Sequence, residues 1–164
     1  MLNDKEILKS MIINYIEDNA DILYLEKSKK ESFKAYVSKN KLGEFIIFDK
    51  NTSIEIKFDE ENMARFLEQK PTSFDIKSIV GTIIYVKSFN IMISSNPDIN
   101  KRIFNFNVKL LVEEFDSFPS NSKINIDPPK SINYDIDVQY KLAEYYHKIN
   151  KVCNFHIRPM LKEL

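Results

Sequence analysis

Residues 79–115 read IVGTIIYVKSFNIMISSNPDINKRIFNFNVKLLVEEF. In its second half Phe104, Phe106, Val108, Leu110 and Val112 alternate with Asn105, Asn107, Lys109, Leu111 and Glu113. A period of two places the first set on one face of a half-buried strand. The first half is rich in Ile, Val, Tyr and Phe, and Asn96-Pro97-Asp98 supplies turn chemistry between the halves. The pair predicts a long antiparallel hairpin over 79–115, at the middle of a sheet that the rest of the chain covers.

Immediately before the hairpin the sequence signals a helix. Asp59 is placed as its N-cap, Glu60 and Glu61 complement the positive end of the helix dipole, Phe58 and Met63 have staple spacing, and Lys70-Pro71 marks the stop. Met63, Phe66 and Leu67 are expected to pack on the sheet. Further upstream DILYLEK, SFKAYVSK, EFIIFDK and SIEIKF are short strand-like runs separated by turn residues, and a meander is their simplest assembly. In the last of them Ile54, Ile56 and Phe58 alternate with Ser53, Glu55 and Lys57, which gives that strand a wet face. The chain starts with a helix in which Asn3 and Glu6 are spaced as a capping box and Leu2 and Ile7 as a staple. Leu8, Met11, Ile12, Tyr15 and Ile16 form its apolar stripe, and it should end near Asn19.

Downstream of the hairpin, Phe118-Pro119-Ser120-Asn121-Ser122 and Asp127-Pro128-Pro129-Lys130-Ser131 read as surface loops around a short INI strand. A last helix from about Asp135 to Lys151 carries Val138, Leu142, Tyr145, Ile149 and Val152 on one face. The expected fold is thus α+β: a single domain over 1–164, with a mainly antiparallel sheet of about six strands under N-terminal, central and C-terminal helices.

Composition narrows the function. With 43% hydrophobic and 29% charged residues in 164, the chain has the make-up of a globular domain large enough to bury a core. Its apolar runs are too short to span a membrane, and MLNDKEILKS lacks the basic and apolar regions of a signal peptide, so a cytoplasmic location is expected. A lone cysteine, Cys153, agrees with a reducing compartment. Lys plus Arg and Asp plus Glu balance at 24 each, and arginines are few, which speaks against a dedicated nucleic-acid reader while leaving local patches open. Two glycines, Gly43 and Gly81, exclude a Gly-rich phosphate loop.

Three groups of residues are candidates for chemistry. Asp49 ends one strand, and Glu55 and Lys57 share a face of the next; a tight hairpin would bring both carboxylates together to hold Mg²⁺, with Lys57 orienting a water. These residues resemble the Asp…Glu-x-Lys arrangement of PD-(D/E)XK nucleases, and the order helix, strands, helix, strand over residues 4–86 is similar to the core of that family. The resemblance implies a metal-dependent nuclease with Mg²⁺ as cofactor. A solvated strand face with a cross-strand ion pair explains the same triplet and is preferred. His147, Cys153 and His156 are Zn²⁺-ligand types but lack a second cysteine, so no metal site is assigned. Glu113, Glu114, Asp116, Asp135 and Asp137 are accounted for by a charged strand end and helix capping.

The third group is aromatic. Tyr140, Tyr145 and Tyr146 lie on the last helix, and 145 and 146 point about 100° apart, so part of this tyrosine surface is expected to face outward. Tyrosine suits interfaces because its ring is apolar and its hydroxyl can stay wet. The sequence thus favours a non-catalytic binding protein of the accessory, inhibitor or immunity type, using the last helix and the Pro128-Pro129 loop against a protein partner and needing no cofactor. Self-association through the same tyrosines is a further possibility. The metal-dependent nuclease is the alternative.

Overall fold

A computed structural model of the chain describes residues 7–18, 32–95, 106–118 and 123–145. Among these are three α-helices: α1 (Ile7–Asp18), α2 (Glu60–Glu68) and α3, over residues 136–145. The strands are β1 (Phe33–Lys39), β2 (Phe45–Phe48), β3 (Ser53–Phe58), β4 (Ile83–Ser95) and β5 (Phe106–Phe118). Short 3-10 turns occupy Ile76–Ile79 and Ile132–Tyr134.

The hairpin expected over 79–115 exists as β4 and β5, which pair antiparallel from Ile83–Phe118 to Ser95–Phe106. Its first strand begins at Ile83 because Ile76–Ile79 winds into the 3-10 turn and Gly81 takes a positive φ of 83°. Val108, Leu110 and Val112 point inward as the alternation predicts. The meander is also present, with β1–β2 and β2–β3 antiparallel. β1 then pairs with β4, and β3 with β5, so the sheet closes into a barrel in the order β1-β2-β3-β5-β4.

The sheet is mainly antiparallel, as expected, in four of its five pairings. The described sheet has five strands rather than about six. The INI segment is exposed and joins no ladder, and DILYLEK lies outside the described residues. One pairing is parallel, β3 with β5, because closure places the third strand beside the last with both running the same way. Closure also removes most of the edge that an open sheet would present.

The core fills the barrel with Phe33, Ala35, Val37, Ile47, Ile54, Ile56, Ile84, Val86, Phe89, Val108, Leu110 and Val112. Each end has its own plug. At the β3 C-terminal end, Asp59 caps α2 by accepting from the Asn62 amide, as expected. Phe66 of α2 then packs on Phe115, with ring centroids 4.4 Å apart. Met63 and Phe66 are half-buried, whereas Leu67, expected on the sheet, is exposed; it lies one residue round the helix from Phe66, away from the barrel. At the opposite end α1 buries Leu8, Met11, Ile12, Tyr15 and Ile16, its expected stripe. The capping residues expected at 2–6 lie outside the described residues. α3 joins α1 at this end and buries Val138, Leu142 and Tyr145, while Ile149 and Val152 fall outside the described residues.

Candidate interaction surface

The C-terminal segment reaches α3 along the barrel wall. Near the start of β4, Ile124 donates its N–H to the Gly81 carbonyl at 2.8 Å. At the start of β3, the Ser53 N–H donates to the Lys130 carbonyl, the Ser53 hydroxyl donates to the Pro129 carbonyl, and Ser131 forms a parallel bridge with Ser53. The Asp127–Ser131 stretch, expected as a plain surface loop, is therefore stitched to a strand. Gly81 is a point of close approach: a Cβ there would lie 3.0 Å from Lys123 Cβ.

Past Ser131 the chain makes side-chain bonds in place of a further strand. Asn133 Oδ1 accepts the Val108 N–H at 2.7 Å. Gln139, a buried polar residue, accepts the Phe106 N–H and donates to the Phe106 and Asn133 carbonyls. These bonds satisfy the first residues of β5, before its pairing with β3 begins at Lys109. Asp135 caps α3 by accepting the Val138 N–H at 3.2 Å.

Around this framework three large apolar side chains face outward: Tyr134 is 55%, Ile136 55% and Tyr140 69% exposed. Tyr134 and Ile136 line one cleft of about 260 Å³ together with Lys9, Asn51, Thr52 and Lys130. Ile136 and Tyr140 are four residues apart on α3 and so lie on one face. Lys9 crosses the cleft's rim to Asp137 at 2.8 Å and Asp135 at 3.0 Å, and hydrogen bonds to these carboxylates hold its ammonium above the usual lysine range.

Of the tyrosines singled out in the sequence, Tyr140 is exposed as expected and Tyr145 is buried, 4% exposed, so it serves the core and not a surface; its i+7 spacing from Val138 carries that information. Tyr146 lies outside the described residues. Tyr134 and Ile136 carry no signal of their own in the sequence beyond lying off the stripe of Val138, Leu142 and Tyr145.

Asp49, Glu55 and Lys57 are placed apart in role. Asp49 is buried past the end of β2, where Oδ1 accepts from the Asn51 and Thr52 amides and Oδ2 accepts from Leu8 N–H at the start of α1. Glu55 lies opposite Ile46, and Asp49 meets Thr52, three residues along the strand, or roughly 10 Å. Glu55 and Lys57 do share the outer face, but Glu55 faces Lys109 on β5, whose ammonium stands 3.4 Å from Oε1 without hydrogen-bond geometry. The structure does not bring the two carboxylates together. Among the described residues no three of His, Cys, Asp and Glu converge as metal ligands; His147, Cys153 and His156 lie outside them. No helix among the described residues is long and apolar enough to cross a membrane.

A five-stranded barrel in the order β1-β2-β3-β5-β4, with a helix between β3 and β4, is an OB-type Greek-key barrel. Among solved structures it is similar to the Est3 telomerase subunit in the yeast Hansenula polymorpha, with a TM-score of 0.55 and 13% sequence identity, covering 73% of this chain and 78% of that one. No family model and no curated protein matches the sequence.

Proposed function

We propose that this chain is a non-catalytic accessory subunit of a larger assembly, acting through a protein interface at Tyr134, Ile136 and Tyr140. The observation that carries this reading is the exposure of all three beside residues of the same segment, Ile132 and Val138, that are wholly buried. A contiguous apolar patch of this kind marks interaction surfaces, and tyrosine is enriched there.

Two further observations support it. The structural neighbour is itself a subunit of telomerase, which favours the accessory type over an inhibitor or immunity protein. The outer β2–β3 face, which OB-type barrels use for oligonucleotides, carries Glu55 against Lys109, an exposed Lys57 and a buried Phe48, so it offers little free ring surface to stacked bases. Asp49 accepts from three backbone amides away from Glu55, which favours the binding reading over the metal-dependent nuclease.

Native purification of the untagged protein, with and without nuclease, tests the reading. A stoichiometric protein that survives nuclease treatment and is lost from Tyr140→Lys, with the unfolding midpoint unchanged, is the expected result. A partner retained by Tyr140→Lys would place the interface elsewhere. Recovery of nucleic acid with no protein would reject it, and a concentration-dependent dimer with no other protein would make the partner a second copy.

A further inference from the structure

The geometry of α3 points to one kind of partner: we infer that its exposed face docks an amphipathic helix whose apolar seam is flanked by basic side chains. This rests on the protein-interface reading above and gives the partner's chemistry.

α3 has two apolar faces. Val138, Leu142 and Tyr145, at i, i+4 and i+7, are buried against the barrel. Ile136, Tyr140 and Ala143 have the same spacing and are exposed. A helix lying on a core needs one apolar stripe and normally carries polar residues opposite it. A second stripe with steps of four and three matches the seam of a helix–helix contact, whereas an extended peptide presents side chains with a period of two.

Charge specifies the flank. Asp137 and Glu144, seven residues apart, are the most outward charges of α3, with side chains 70% and 66% exposed. The cations near them sit deeper. Lys9 is held between Asp135 and Asp137. Lys141 turns to Glu17 of α1 at 3.0 Å and lies 3.8 Å from Glu144; its hydrogen bond to Glu17 keeps its ammonium above the usual lysine range. Viewed from solvent, the stripe is therefore bordered by two carboxylates one heptad apart. Lys or Arg one heptad apart beside an apolar seam complements both, while acidic flanks would set like charges together.

The probe is a displayed library of helical peptides with a fixed apolar seam and randomised flanking positions, selected on the full chain. Lys and Arg are expected to be enriched at heptad-spaced flanks, with recovery falling at least about tenfold on Tyr140→Lys, the scale of an interface hot spot. Asp137→Lys combined with Glu144→Lys should shift the enrichment to acidic flanks. Recovery of no helix, of helices without charge bias, or of helices indifferent to Tyr140→Lys would overturn the inference. If Tyr140→Lys releases the native partner yet no basic helix is selected, the interface reading stands and the helical partner falls.

Discussion

The two ends of the barrel are closed by different physics. At the α2 end the seal is aromatic: Phe45 meets Phe58, Phe58 meets Phe115, Phe115 meets Phe66 and Phe66 meets Phe74, with ring centroids 4.4–5.8 Å apart. At the α1 and α3 end an apolar interior is overlaid by directed polar contacts between segments far apart in sequence: Asp49 to Leu8, Gln139 to Phe106, Asn133 to Val108 and Lys9 to Asp137. Apolar contact is non-directional and tolerates a change of shape. Hydrogen bonds to buried backbone groups need one acceptor at one place, so the second end is the more exacting of the two. It is also the end that presents the exposed face of α3.

Three substitutions can break this contrast. Phe115→Ala removes the ring between Phe58 and Phe66 and should cost about 3–5 kcal/mol, whereas Phe115→Leu should cost less than about half as much. Denaturant titration reads both, and equal losses would mean that the aromatic end depends on specific ring geometry after all. Asp49→Ala leaves the Leu8, Asn51 and Thr52 amides without their acceptor and should cost about 3 kcal/mol, with faster hydrogen exchange at Leu8. A loss below about 1 kcal/mol would show that water replaces the carboxylate at no penalty, and the second end would then not be exacting.

The smallest effect at neutral pH sharpens the comparison by titration. Burial, with lesser contributions from Tyr145 and Glu113, pushes the Tyr15 phenol up to about 12. The folded state therefore favours the neutral phenol: its contribution is fully present below the ordinary tyrosine value of 10 and is lost as pH rises toward about 12. Tyr15→Phe should cost about 1 kcal/mol at pH 7, by losing the hydroxyl's bond to Asn90, and should flatten the alkaline fall in stability. An alkaline limb of unchanged steepness would assign that fall to the lysine ion pairs instead.

The elements read most securely from sequence are those specified locally. Asp59, Glu60, Glu61 and Pro71 fix α2 within one stretch, and the alternation in residues 106–112 fixes the inward face of β5. The surface was legible in part. The spacing of Tyr140, Tyr145 and Tyr146 implies that part of their surface faces outward; Tyr140 does, Tyr145 does not, and nothing in the pattern singles out Tyr134 or Ile136. The alternative pairing of Asp49 with Glu55 stays open in the sequence, which cannot reveal that α1 arrives to place the Leu8 amide on Asp49.

Capping and periodicity act over a few residues, so the hairpin, the meander, the stripes of α1 and α3 and the N-cap of α2 follow from the amino-acid order alone. Contacts between distant segments settled that the strands close into a barrel with β3 parallel to β5 and that the 123–131 segment is stitched to Gly81 and Ser53. Those outcomes depend on groups brought together from distant parts of the chain, and local pattern carries no record of which distant group will arrive.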